Sequence, residues 1–176
     1  MMFNINHNNQ PYMFRLATDK DVSQITILVN EAYKELADMG LNYTASYQDD
    51  EKTRSRLAEG RAFVLLSGTE IVGTILFSEK NFFTEKKSAY INQFAVHPKL
   101  KRQGLGSIML DFCEQLANDE KFEAIQLDTA KPAKHLAQWY VSRGYKIVGE
   151  KHWEGKTYNS QIFEKTLKAA FSKKKR

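Results

Sequence analysis

Cysteine is nearly absent. Cys113 stands alone in 176 residues, which excludes an internal disulfide and any metal site built on paired cysteines. The four histidines, His7, His97, His135 and His152, show no HExxH-like spacing either, so no metal is expected. Long apolar runs are missing too: none approaches the ~18 residues of a membrane span. The opening "MMFNINHNNQPY" lacks the basic end and apolar centre of a signal peptide. A cytoplasmic protein without a membrane partner is the expectation. Charge of one sign is also less abundant than the net +5 suggests. Lys173–Arg176 supplies four of the 26 basic residues, and the rest nearly balance the 21 acidic ones. A near-neutral body argues against a nucleic-acid surface, and the basic tail reads as a solvated terminus.

What is present is the composition of a globular chain, 42% hydrophobic and 12% aromatic, long enough for one domain with a sizeable core. Residues 11–168 carry that domain, between an Asn-rich loose tail at 1–10 and the basic tail at 169–176. Val22, Ile25, Val29, Ala32, Tyr33 and Leu36 recur at spacings of three and four, which predicts a helix ending before Gly40. A more polar helix is expected from about Asp49 to Glu59. The period then changes: "RAFVLLSG" and "EIVGTILFSE" read as a hairpin turned at Gly68-Thr69, followed by a strand at "SAYINQFAV". Ile108, Met109, Phe112, Cys113, Leu116 and Ala117 form the stripe of a long helix, with Cys113 as a buried small hydrophobe. The strand "FEAIQLDTA", a helix over Pro132–Ser142 and two closing strands complete the chain. With "YMFRLAT" as a first strand, the order is β-α-α-β-β-β-α-β-α-β-β. That order implies an α/β sheet of six or seven strands with helices on both faces.

Between the strand at 88–96 and the long helix lies "FAVHPKLKRQGLGSIML", with Lys99, Lys101 and Arg102 before two glycines. It is not a phosphate loop of the GK[ST] type, because Gly106 is followed by Ser107-Ile108. Nor is it a dinucleotide fingerprint, because Met109 stands where the third glycine would be. What remains is a GxG opening a helix. The first helical N–H groups lack internal partners and the helix dipole favours an anion there. By itself, that segment also suits a tight turn with solvated charges.

Together with "WYVSRGY" downstream, the segment resembles the GNAT superfamily of acetyl-CoA-dependent N-acetyltransferases. The likeness covers about residues 13 to 167 and is most specific from Phe94 to Tyr145. It implies a mixed, mostly antiparallel sheet and acetyl-CoA as co-substrate. It assigns Arg102, Gln103, Gly104, Leu105, Gly106 and Ser107 to the pyrophosphate, mainly through backbone N–H groups. Phe94, Ala95 and Val96 would pair with the pantetheine arm and offer an N–H to the thioester oxygen. This strand would carry a bulge and splay from the strand at Ile125–Asp128. Tyr140 matches the tyrosine that protonates the departing thiolate. Two positions depart from the family pattern: Lys101 replaces the usual Gln or Arg, and Ala133 stands where many members carry asparagine.

Acetyl transfer also needs a proton acceptor for the amine. Many relatives place a glutamate on the strand that here reads "YINQFAV", but Asn92 and Gln93 cannot serve as useful bases. Asp128 in "QLDTA" is the candidate, acting directly or through water, and it could equally cap the turn before Pro132. The acceptor pocket is expected between "MGLNYTASYQ" and "KHWEGKTY", with Tyr43, Tyr47, Gln93, Trp153 and Tyr158 available to line it and Glu154 nearby. The expected activity is transfer of acetyl from acetyl-CoA directly to a primary amine, in the first place of a small metabolite. Two alternatives are a protein or peptide N-acetyltransferase and an acyl-CoA-binding module without catalysis. A homodimer is left open.

Overall fold

The computed structural model describes residues 2–167, so the tail at 169–176 lies outside the described residues. Its strands are β1 (Met2–His7), β2 (Gln10–Leu16), β3 (Arg61–Ser67), β4 (Glu70–Glu79), β5 (Ser88–Val96), β6 (Ala124–Ala130), β7 (Lys146–His152) and β8 (Asn159–Thr166). The helices are α1 (Val22–Asp38), α2 (Asp50–Leu57), α3 (Leu105–Asp119) and α4 (Lys134–Ser142). The strands form one sheet in the order β1-β2-β3-β4-β5-β6-β8-β7. Only β5 and β6 run parallel, joined across α3; the other pairs are antiparallel.

Every helix and strand expected from the sequence is present, with one strand more. Residues 1–10, read as a loose tail, instead supply β1, which pairs along its whole length with β2. The turn is Asn8-Asn9, with φ of 52° and 59°. Positive φ at both central residues matches the twist of a two-residue hairpin, and Asn tolerates that region better than most residues. Phe3 and Ile5 then pack against the main core while Asn4 and Asn6 alternate outward. The asparagines are therefore turn and outer-face residues rather than a sign of disorder.

Alternation along the strands sorts the core into two faces. Val64, Leu66 and Ala95 pack with Ile25, Leu28 and Val29 of α1. Leu65, Ile75 and Ile91 face Leu105, Met109, Leu110 and the fully buried Cys113 of α3. α2 is preceded by Asp49, whose side chain accepts the Lys52 N–H at 2.8 Å and so caps the helix. It is pinned to α1 by the buried Thr53, whose hydroxyl accepts from that of Thr26 at 2.8 Å.

One irregularity positions everything that follows. β5 stays beside β6 only as far as the Ile91–Leu127 pair. Beyond it, β5 bulges: its register against β4 shifts between Thr74 and Leu76, and Gln93 sits at φ 46°. The Gln93 side chain is buried, and its Oε1 accepts from Gln48 Nε2 at 2.9 Å. That bond anchors the bulge from the α1–α2 loop. No helix among the described residues is long and apolar enough to cross a membrane.

Candidate functional site

Two cavities occupy the gap where β5 leaves β6, and they share the walls Tyr33, Tyr43, Phe94, Asp128 and Tyr140. The larger, about 850 Å³, runs from that junction to the N-terminus of α3 and is lined by Val96, Lys99–Arg102 and Gly104–Ser107. The smaller, about 300 Å³, lies on the other side, between the α1–α2 loop and the β7–β8 hairpin.

The basic-glycine segment shapes the larger cavity. Arg102 and Gly104 both take positive φ, 61° and 86°, so the chain turns sharply just before α3 begins. At Gly106 a Cβ would meet Phe94, Val96 and Trp139 at 3.6–3.9 Å, so any longer side chain would enter the cavity. The loop is braced from outside by the first hairpin: His7 Nε2 lies 2.6 Å from the Gln103 carbonyl oxygen. Arg102 and the helix start at Gly104–Ser107 line the cavity. Lys101 pairs with Glu35 across the cavity rim at 2.8 Å.

Two of the expected cofactor residues do not line this cavity. Ala95 points to the opposite face of the sheet, into the α1 core, because it alternates with Phe94 and Val96. Gln103 is exposed, with its side chain donating to the Lys99 carbonyl at 3.3 Å. Phe94, Val96, Arg102, Gly104, Leu105, Gly106 and Ser107 all line it.

At the junction, Tyr140 is buried at the end of α4 and packs against Trp139, Tyr145 and Phe163. Burial raises its hydroxyl pKa well above the ordinary value, with smaller contributions from Tyr33, Tyr43 and Asp128, so the proton stays on. The hydroxyl makes no hydrogen bond among the described residues, and Tyr140 lines both cavities. Asp128, on β6, accepts hydrogen bonds from the Tyr90 hydroxyl and from Trp153 Nε1, the latter at 3.1 Å. Its side chain is thereby aimed across the smaller cavity, and it does not cap the turn at Pro132. Tyr33 donates to the Phe94 carbonyl at 3.0 Å, and the Tyr43 hydroxyl accepts the Ala130 N–H at 2.7 Å. These two tyrosines tie α1 and its following loop to the edges of the gap.

The smaller cavity forms where the acceptor pocket is expected. Tyr43, Gln93, Trp153 and Tyr158 line it, joined by Phe82, Tyr90, Asn92, Arg56, Glu59, Lys80 and Lys156. Tyr47 does not: it is 63% exposed, and its hydroxyl accepts from Lys156 Nζ at 3.3 Å. Glu154 is likewise exposed, outside the lining. Tyr33 and Tyr90 escaped the sequence reading because each also fits the apolar pattern of its element. Two polar atoms in the wall, Arg56 Nε and Asn92 Oδ1, are buried without a hydrogen-bond partner.

A splayed parallel pair, an anion-ready helix start and a buried tyrosine between two cavities together suit transfer of a group from a long phosphorylated carrier. Residues 24–145 match the acetyltransferase (GNAT) family, and the chain belongs to it; the protein is an acetyltransferase. It is 29% identical over 148 residues to S-alkylcysteine N-acetyltransferase of Bacillus subtilis, covering 81% of this chain and 83% of that one. To S-(2-succino)cysteine N-acetyltransferase of the same organism it is 26% identical, over 88% and 96% of the two chains. The fold is shared with an acetyltransferase from Salmonella typhimurium solved with its cofactor acetyl-CoA (TM-score 0.68, 15% identity, 92% and 96% covered).

Proposed function

We propose that the protein transfers acetyl from acetyl-CoA to the α-amino group of a small amino acid of the S-substituted cysteine type. The observation that carries this reading is the pair of cavities meeting at Tyr140 and Asp128. The larger cavity suits the carrier. The N–H groups of Arg102–Ser107 would hold the pyrophosphate, and Phe94 and Val96 would flank the pantetheine arm along the unpaired edge of β5. The smaller suits an acceptor of amino-acid size, with an aromatic wall of Phe82, Tyr90 and Trp153 against a thioether substituent.

In the reaction the free amine attacks the thioester carbonyl carbon, the C–N bond forms and the C–S bond breaks. Asp128 takes the proton the amine must lose, directly or through one water, with Tyr90 and Trp153 fixing its orientation. A backbone N–H at the β5 bulge stabilises the developing oxyanion. Tyr140 delivers its proton to the thiolate sulfur.

The names of the two Bacillus relatives and the coverage of their chains support the cysteine-derived acceptor. The test is thiol release from acetyl-CoA against a panel of S-alkylcysteines, unsubstituted amino acids, polyamines and peptides. S-alkylcysteines should give the highest kcat/KM. Preference for a polyamine or a peptide N-terminus would overturn the acceptor assignment.

A further inference from the structure

Three cations line the smaller cavity, and their commitments differ. Lys80 is paired with Glu59 at 2.8 Å. Lys156 gives its Nζ to the Asn42 carbonyl and the Thr44 hydroxyl, both at 2.8 Å, and to the Tyr47 hydroxyl. Arg56 has neither: among the described residues its guanidinium makes no hydrogen bond and no ion pair, and its Nε is buried. Arg56 as a whole is half-buried, but its Nε is shut off from solvent without a partner, a loss that a ligand acceptor at the cavity wall would make good. Its position is not accidental slack. Arg56 sits in the last turn of α2, one turn beyond Thr53, which ties that helix to α1, and it lines the cavity. On the anionic side the same cavity offers Asp128 and the unpartnered Asn92 Oδ1, both able to accept from an amine.

We infer that Arg56 is the acceptor's carboxylate receptor: its planar fork takes the α-carboxylate while Asn92 and Asp128 face the α-amino group. The wall therefore reads a zwitterion, a donor for one end and acceptors for the other. This rests on the amino-acid reading above and adds the residue that enforces it. A guanidinium pairs a carboxylate through two parallel N–H donors, which a lysine cannot reproduce. The pair also excludes polycationic amines, which would meet Arg56 with like charge.

The experiment compares kcat/KM for S-methylcysteine with that for its decarboxylated counterpart, 2-(methylthio)ethylamine, in the parent, Arg56→Gln and Arg56→Lys. The parent should favour the amino acid by about 10–100-fold, the range for a hydrogen-bonded charge. In Arg56→Gln that ratio should fall to about one, chiefly through KM for the amino acid, and Arg56→Lys should fall between. The KM for acetyl-CoA serves as the control for folding and should not move. A parent with no preference for the carboxylate overturns the acceptor reading together with this inference. A parent with the preference and an Arg56→Gln variant that retains it overturns the role of Arg56 alone.

Discussion

Tyr140 is the residue on which the chemistry proposed here turns. The residue lines both cavities, and its hydroxyl keeps its proton because it is buried and is hydrogen-bonded to no described group. Tyr140→Phe preserves the packing against Trp139, Tyr145 and Phe163 and removes only the proton donor. Positioned acids contribute ~10²–10⁴-fold, and a thiolate is a fair leaving group, so a kcat loss of at least about tenfold is expected with KM for acetyl-CoA little changed. Turnover within about twofold of the parent, with chemistry rate-limiting, would reduce Tyr140 to a packing residue. Tyr140 and the glycines stand out in the sequence because each sits inside a motif with fixed spacing, whereas Asp128 is only the carboxylate left on the adjacent strand once Asn92 and Gln93 are set aside as bases. The Ala95 side chain faces the α1 core, as strand alternation with Phe94 and Val96 requires, and the backbone contact expected of it does not depend on that direction. Arg56 and Asn92 could not be found that way. What distinguishes them is the lack of a partner, and partners depend on the whole fold.

At the level of elements, β1 is the addition that the sequence concealed. Its Asn content looks like disorder, whereas its alternation of Phe3 and Ile5 with Asn4 and Asn6, ended by Asn8-Asn9, is what a short hairpin requires. The strand reaches past the sheet edge to brace the loop before α3 through His7 and the Gln103 carbonyl, with Asn8 adding a longer contact to the same oxygen. His7→Ala should loosen that loop. The Kd for CoA by calorimetry should rise about 2–10-fold, the usual range for one hydrogen bond, with the circular dichroism spectrum unchanged. An unaltered Kd would mean the hairpin merely covers the core. The other elements were readable because their patterns are local: α1 and α3 declare their stripes, and Gly68-Thr69 declares the β3–β4 turn. The bulge in β5 was legible only through the family resemblance. Nothing local in "INQFAV" shows that Gln93 is fixed by Gln48, 45 residues away in the chain.

For the molecule as a whole, the parting of β5 from β6 leaves a sheet with an open seam through its middle. Past Ile91 and Leu127 the two strands no longer pair with each other. The carrier's arm, lying along β5, would fill that seam as a surrogate strand. Binding of the carrier and stability should therefore be coupled. A ligand present at 100 times its Kd adds about 2.7 kcal/mol to the native state. CoA should accordingly raise the melting temperature by several degrees in differential scanning fluorimetry. It should do so nearly as well as acetyl-CoA, because the arm and pyrophosphate are common to both. Dephosphorylated fragments without the arm should protect far less. Equal melting with and without CoA in large excess would show that CoA does not bind the native state, and would overturn the assigned carrier site. If the coupling holds, scarcity of the acyl carrier does more than slow turnover. It exposes the idle catalyst to unfolding and proteolysis, so that the amount of enzyme surviving would track the supply of the molecule it consumes.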